Sequence, residues 1–166
     1  MKMNTADKMK TVQELTVLVL EIKAQGRKVV TTNGCFDILH PGHVESFEWA
    51  KDQGDALIVG INSDRSVREN KGTARPIVSE DDRARVLAAL QAVDYVFIFD
   101  EESPRSWLSI LRPDVHVKGE GSEESLAFVP EKQAVEEGGG EVRLAPRFPG
   151  RSTTGIIETV LERYRQ

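Results

Sequence analysis

Cysteine is nearly absent from the sequence: Cys35 is the only one in 166 residues. That excludes a disulfide framework within the chain and any zinc site built from clustered cysteines. No apolar run approaches the length needed to cross a bilayer, so no membrane role is expected. Residues 1–10 lack the apolar centre of a secretory signal, and a cytoplasmic location is the expectation. Basic charge is not in excess, since 22 Lys and Arg stand against 27 Asp and Glu for a net charge of −5. A broad phosphate-neutralising surface is therefore not expected, and nucleic acid is excluded as a partner. A small basic pocket for a phosphate group remains compatible with that balance. The sequence has no internal repeat and no low-complexity tract. Its 39% hydrophobic and 30% charged residues suit one soluble globular domain with a real core.

Three segments have the pattern of buried strands: Lys28–Thr32, Ala56–Ile61 and Tyr95–Phe99. Such continuous apolar runs suit strands covered on both faces, as in parallel sheets. Asp114–Val117 and Glu141–Leu144 are weaker strand candidates. Helical patterns alternate with them, over Val12–Ala24, His43–Lys51, a helix capped by Ser79 with Asp82 three residues on, Pro104–Leu111, Pro130–Glu137, and a last stripe through Ile156, Ile157, Val160, Leu161 and Tyr164. The alternation predicts an α/β fold: a Rossmann-like, doubly wound parallel sheet in a single domain over residues 11–166, preceded by a flexible N-terminus over residues 1–10. Two charged, glycine-containing stretches, Asn62–Pro76 and Lys118–Ser125, read as loops after strands. Ligands bind in such sheets beyond the strands' carboxyl ends.

The first strand runs into Asn33-Gly34-Cys35-Phe36-Asp37-Ile38-Leu39-His40-Pro41-Gly42-His43. Asn33-Gly34 turns the chain, and Pro41 favours the first position of a helix. His40 then sits at the helix entrance, with His43 near the same face. A helix N-terminus carries unpaired amides and partial positive charge, and Gly42 leaves room for a phosphate to approach. From the residues alone the pair could equally be structural caps or half of a metal site, although the motif lacks a nearby third ligand. Hydroxyls at Ser152, Thr153 and Thr154 precede the last apolar stripe, and capping explains one of the three. Cys35 reads as a small packed residue, His116 as a core histidine, and Trp49 and Trp107 as packing groups. Arg83 reads as a surface residue or a salt-bridge partner.

Gly34–His43 resembles the His-x-Gly-His signature of the nucleotidyltransferase superfamily. The resemblance continues through Gly60–Val67, Lys71–Ile77, Lys118-Gly119 and Arg151–Thr154. Within that superfamily it is to the adenylyltransferases that make ADP-heptose, to which the Thr32–Asp37 and Asn62–Val67 stretches are especially similar. Glu120-Gly121-Ser122 departs from that group, which has Gly-Asp-Tyr after Lys-Gly.

The resemblance implies transfer of AMP from ATP to a sugar 1-phosphate, D-glycero-β-D-manno-heptose 1-phosphate being the expected acceptor, with release of pyrophosphate. It implies catalytic roles for His40, His43, Lys71 and Arg147. Nucleotide contacts are expected from Thr32, Asn33, Gly34, Phe36, Gly42, Lys118, Gly119, Glu120, Ser152, Thr153 and Thr154. Acceptor contacts are expected from Asp37, Asn62, Asp64 and Arg75. Mg²⁺ would be carried by the nucleotide phosphates with no metal site of protein residues, and a homodimer is expected from related enzymes. Competing readings are a CTP-dependent enzyme acting on glycerol 3-phosphate, an FMN adenylyltransferase, and a non-catalytic nucleotide-binding module.

Overall fold

The computed structural model describes residues 4–101, 103–119, 128–146, 150 and 152–165. The elements in chain order are α1 (Thr5–Lys8), α2 (Val12–Ala24), β1 (Val29–Gly34), α3 (Pro41–Lys51), β2 (Ala56–Asn62), α4 (Asp64–Lys71), α5 (Glu80–Ala88), β3 (Tyr95–Phe99), α6 (Arg105–Leu111), β4 (Val115–Gly119), α7 (Phe128–Glu137), β5 (Glu141–Ala145) and α8 (Thr153–Tyr164). The strands form one sheet in the order β3-β2-β1-β4-β5. Every pairing in it is parallel. This is the doubly wound α/β sheet that the alternation of patterns predicts, and both weak strand candidates are strands.

The strand side chains alternate between two cores. On one face Val30, Leu57, Val59, Ile61, Val96, Val115 and Val117 pack with α3 and α5 through Phe47, Ala50, Ala84, Leu87 and Ala88. On the other, Val29, Ala56, Ile58, Phe97 and Phe99 pack with α2, α6 and α7 through Leu15, Val19, Ile22, Trp107, Leu108, Leu111, Ala134 and Val135. Burial on both faces is why these strands read as continuous apolar runs. Chain order reverses at β1, which has β2 on one side and β4 on the other. The crevice at the carboxyl ends of β1 and β4 is the topological switch point, the usual ligand position in such sheets.

Two segments differ from the sequence reading. Asn62–Pro76, read as a loop, contains α4. Its eight residues include one aliphatic side chain, Val67, so no apolar stripe announces it. The helix is fixed by polar contacts instead: Ser63 caps it by accepting from the Ser66 amide at 3.1 Å, and Asn62 Nδ2 donates to Ser66 Oγ at 3.0 Å. Residues 4–10, within the stretch expected to be flexible, lie along β3. Lys8 Nζ donates to the carbonyls of Leu90 and Val93 at 3.2 and 2.7 Å, and the Lys10 amide donates to Val96 O at 2.9 Å.

The turn from α7 into β5 passes tightly over the start of β4. A Cβ on Gly140 would stand 2.2 Å from Pro113 O and 3.1 Å from Asp114 O. Both are backbone atoms that cannot move aside cheaply. Gly140→Ala should lower stability by about 1–3 kcal/mol, the usual range for overpacking, read as a lower urea midpoint at unchanged slope. An unchanged midpoint would show that the turn has slack.

Candidate active site

The histidine pair sits where the sequence places it. His40 is the N-cap of α3, with extended backbone, and Pro41 is the first helical residue. Pro41 disfavours helical geometry at the residue before it, which fixes His40 as the boundary. The two imidazoles are stacked, with centroids 3.8 Å apart and planes within 20°. Phe36 holds the second ring from the side, edge-on to His43 at 5.3 Å, while itself packing on Phe47 at 4.9 Å. To reach this position Phe36 adopts φ +46°, a left-handed conformation that costs a bulky residue about 1–3 kcal/mol. Its ring folds back over Gly34, where a Cβ would meet it at 2.9 Å.

Burial, and then the neighbouring His40, push the pKa of His43 down to about 4. The ring is therefore neutral at pH 7. Its buried Nδ1 has no hydrogen-bond partner among the described residues. A neutral imidazole so placed offers one N–H donor and one lone pair.

A second helix start joins the first. Ser152 caps α8 by accepting from the Gly155 amide at 3.0 Å, and Thr153 Oγ1 donates to Ile38 O at 3.1 Å, in the loop that carries His40. A cleft of about 520 Å³ opens between the two helix starts, lined by His40, Pro41, Ser152, Gly155, Ile156 and Thr159. Capping and this tether account for two of the three hydroxyls. Thr154 is exposed. Gly42, buried in the first turn of α3, keeps that turn free of side-chain bulk.

Asp37, expected to face an acceptor, belongs to an internal clamp. Its side chain is fully buried and accepts hydrogen bonds from the Ile77 and Val78 amides at 2.8 and 2.9 Å and from Arg75 Nε. Burial alone would raise its pKa, but the two amides and the guanidinium outweigh that and hold it below the usual carboxylate value. Arg75 is thus committed to Asp37. Asn62 is buried and bound to Ser66, and Asp64 Oδ1 accepts from Arg83 Nη2 at 2.8 Å.

Arg83, read as a surface residue or an ion-pair partner, is the second and is 2% exposed. Besides Asp64 it donates to Cys35 O at 2.5 Å, Asn62 O at 2.9 Å and Val78 O at 3.0 Å. It joins the exits of β1 and β2 to the segment before α5. Its position one turn before Leu87 on the buried face of α5 was the available signal.

At the carboxyl end of β4, Lys118 Nζ lies 2.8 Å from Glu131 Oε2 and donates to Asn33 Oδ1 at 3.3 Å. Thr32 Oγ1 donates to Val117 O at 2.8 Å and is a strand-to-strand tie. Gly119 ends β4. Lys71 is exposed at the end of α4, and its ammonium forms no ion pair among the described residues. Glu120 and Arg147 lie outside the described residues. Cys35 is half-buried, with its thiol pKa raised chiefly by burial. His116 and Trp107 are core residues.

Two pH effects follow. Asp37 has a folded pKa below the unfolded value of about 3.9, so its stabilisation is present above that value and is lost as pH falls through the folded pKa. Asp37→Asn should destabilise the protein at pH 7 and make its stability less pH-dependent below about pH 4, measured by denaturation at a series of pH values. Equal acid sensitivity in both proteins would remove Asp37 from the clamp. For His43, NMR of the imidazole carbons should show a midpoint near 4 and no titration between about pH 6 and 8. A midpoint near 6.5, the unperturbed value, would show that the ring is solvated.

The family model described as Cytidylyltransferase-like matches residues 31–159. The Bifunctional protein HldE of Syntrophotalea carbinolica is 49% identical over 149 residues, which are 89% of this chain and 30% of that protein. The chain thus spans about a third of the curated relatives it matches. Among solved structures, the lipopolysaccharide core biosynthesis protein from Thermoplasma volcanium GSS1 aligns with 76% of this chain and all of its own at TM-score 0.61 and 24% identity. The pantoate-beta-alanine ligase of Francisella tularensis aligns with 95% of this chain and 79% of its own at TM-score 0.59 and 17% identity. At those identities the two structures speak for the fold alone. The family match runs from β1 through the stacked histidines and into α8, and on that ground the chain belongs to the Cytidylyltransferase-like family.

Proposed function

We propose that this chain transfers AMP from ATP to a sugar 1-phosphate, with D-glycero-β-D-manno-heptose 1-phosphate as acceptor, and releases pyrophosphate. One observation carries the reading: two helix starts meet at one cleft, and His40, which lines it, is stacked on His43 in the segment that leaves β1, the strand at which chain order reverses. Helix amides and the neutral His43 imidazole suit a polyanion better than any uncharged ligand. Family membership and the relatives' identity support the same class of chemistry.

The acceptor phosphate is already an ionised nucleophile, so no covalent enzyme intermediate is needed. One of its oxygens attacks the α-phosphorus in line. A new P–O bond forms as the bond to the β-phosphate's bridging oxygen breaks, and pyrophosphate leaves with that electron pair. The protein's part is positioning and charge stabilisation. His40 and His43 hydrogen-bond the reacting phosphate, the α3 and α8 amides hold the triphosphate, and Lys71 adds a cation. Arg147 is assigned to the phosphates by resemblance. Asp37, Arg75, Asn62 and Asp64 act as positioning residues, because their polar groups are engaged internally.

Among the described residues no group of three or more His, Cys, Asp or Glu could hold a metal. Mg²⁺ fits as a ligand of the nucleotide's own oxygens and water, and would neutralise charge developing on the leaving pyrophosphate. A homodimer and a cytoplasmic location complete the reading. No helix among the described residues is long and apolar enough to cross a membrane.

The family description favours one second reading, a CTP-dependent reaction on glycerol 3-phosphate. Pyrophosphate release across nucleotide and acceptor pairs separates them. Release should require ATP with the heptose phosphate, and His43→Ala should lower kcat by about 10²–10³ with little change in KM, the loss typical of one charge-stabilising donor. Turnover confined to CTP with glycerol 3-phosphate would replace the proposal with the second reading.

A further inference from the structure

The polar groups between β4 and α7 take no part in the chemistry above. Glu131 is 3% exposed, on the same face of α7 as Ala134 and Val135, which pack into the core. A carboxylate there is costly unless its charge is matched. Its Oε2 stands 2.8 Å from Lys118 Nζ and 4.0 Å from His116 Nε2. That oxygen makes no aligned hydrogen bond, so the contact is a pairing of charges. His116 cannot supply the charge: burial, and then the Lys118 ammonium, push its pKa down to about 3. Thr31 Oγ1 meets its Nδ1 at 2.8 Å, which leaves Nε2 toward the carboxylate.

Lys118 is therefore the compensating cation. Its ammonium is held between Glu131 and Asn33 Oδ1, at the ends of β4 and β1. Both strands' side chains here belong to the α2, α6 and α7 face of the sheet, whereas α3 and its histidines pack on the other. The carboxyl ends of β1 and β4 thus present groups of different electrostatic character on the two faces of the sheet. Among the described residues the ammonium donates to Asn33 Oδ1 with Glu131 beside it as counter-charge, which leaves it further donor capacity.

We propose that Glu131 is a positioning residue that cancels the charge of Lys118, so that this end of the crevice donates hydrogen bonds to the uncharged part of the nucleotide, its ribose or base. The histidine end is left to the polyphosphate. An unmatched Lys118 would attract phosphate to the wrong end and draw the α-phosphate away from the imidazoles. This inference rests on the nucleotidyltransferase reading.

The test uses the full chain, ATP, and inorganic tripolyphosphate as a competitive inhibitor that has phosphates but no nucleoside. Glu131→Gln should inhibit about tenfold more tightly with tripolyphosphate, the scale of one charge-assisted contact, with a steeper salt dependence. Its KM for ATP should rise about tenfold with kcat nearly unchanged. A merely structural lesion would weaken both ligands together, and that result, or no change in either, would overturn the proposal. Should Glu131→Gln not fold, the pair Lys118→Met with Glu131→Leu removes both charges. It should keep wild-type tripolyphosphate inhibition and raise the KM for ATP, and an unchanged KM would overturn the role. If wild-type protein neither binds ATP nor turns it over, the enzymatic reading falls and this inference with it. If the wild type is active, only the role of Glu131 is at stake.

Discussion

The site depends on a buried guanidinium. Arg83 has no access to water, and such a cation is tolerable only when its donors are used. Here they go to Val78 O, Cys35 O, Asn62 O and the Asp64 carboxylate. These partners belong to three separate stretches of the chain. Asp37 repeats the device with opposite charge, gathering Arg75 and two amides. Loops at strand ends cannot be fixed by a hydrophobic core, because their own backbone groups need partners. Buried charge supplies those partners and leaves one geometry. The segment from Cys35 to His43 is therefore held from below by ions, and from above by the Phe36 ring wedged between His43 and Phe47.

The sheet was legible in the sequence because strands covered on both faces are apolar throughout, as in Ala56–Ile61. The histidine pair was legible because Pro41 marks a helix start unambiguously. What escaped was written in polar residues. Helix α4 escaped because only Val67 is aliphatic, and its docking runs through Ser66 and Asn62. Arg83 and Glu131 escaped for a shared reason. Each lies on the inward face of its helix, Arg83 one turn before Leu87 and Glu131 three residues before Ala134, where a charged side chain is read as belonging to solvent. The inward position was the local signal, but the partner that makes the burial tolerable is distant in sequence, Asp64 for one and Lys118 for the other. For Asp37 and Arg75 the sequence located the residues and left open what they touch.

Chemistry and support are divided between the two faces of the sheet. The α3 face carries the imidazoles, with His40 on the cleft beside α8, and the Arg83 clamp at the exits of β1 and β2. The α7 face carries Thr31, His116, Glu131 and Lys118 in one connected series crossing from β1 to α7. Both series reach the carboxyl end of β1, the first extending to β2 and the second to β4. The fold provides the place, and the residue types at these few positions decide what the place can hold.

Helix α8 has no buried residue, a property it shares only with the four-residue α1 among the described helices. Val160 and Leu161 are half exposed and Tyr164 is 80% exposed. Among the described residues its side-chain hydrogen bond to the rest of the molecule is that of the Thr153 hydroxyl to Ile38 O, at the very first turn. A helix anchored at one end behaves as a hinged flap: its distal turns can unwind and re-form at little free-energy expense, while the hinge itself stays registered with the histidine loop. Amide exchange should accordingly grade along the rod, slowest beside the hinge and fastest at Tyr164.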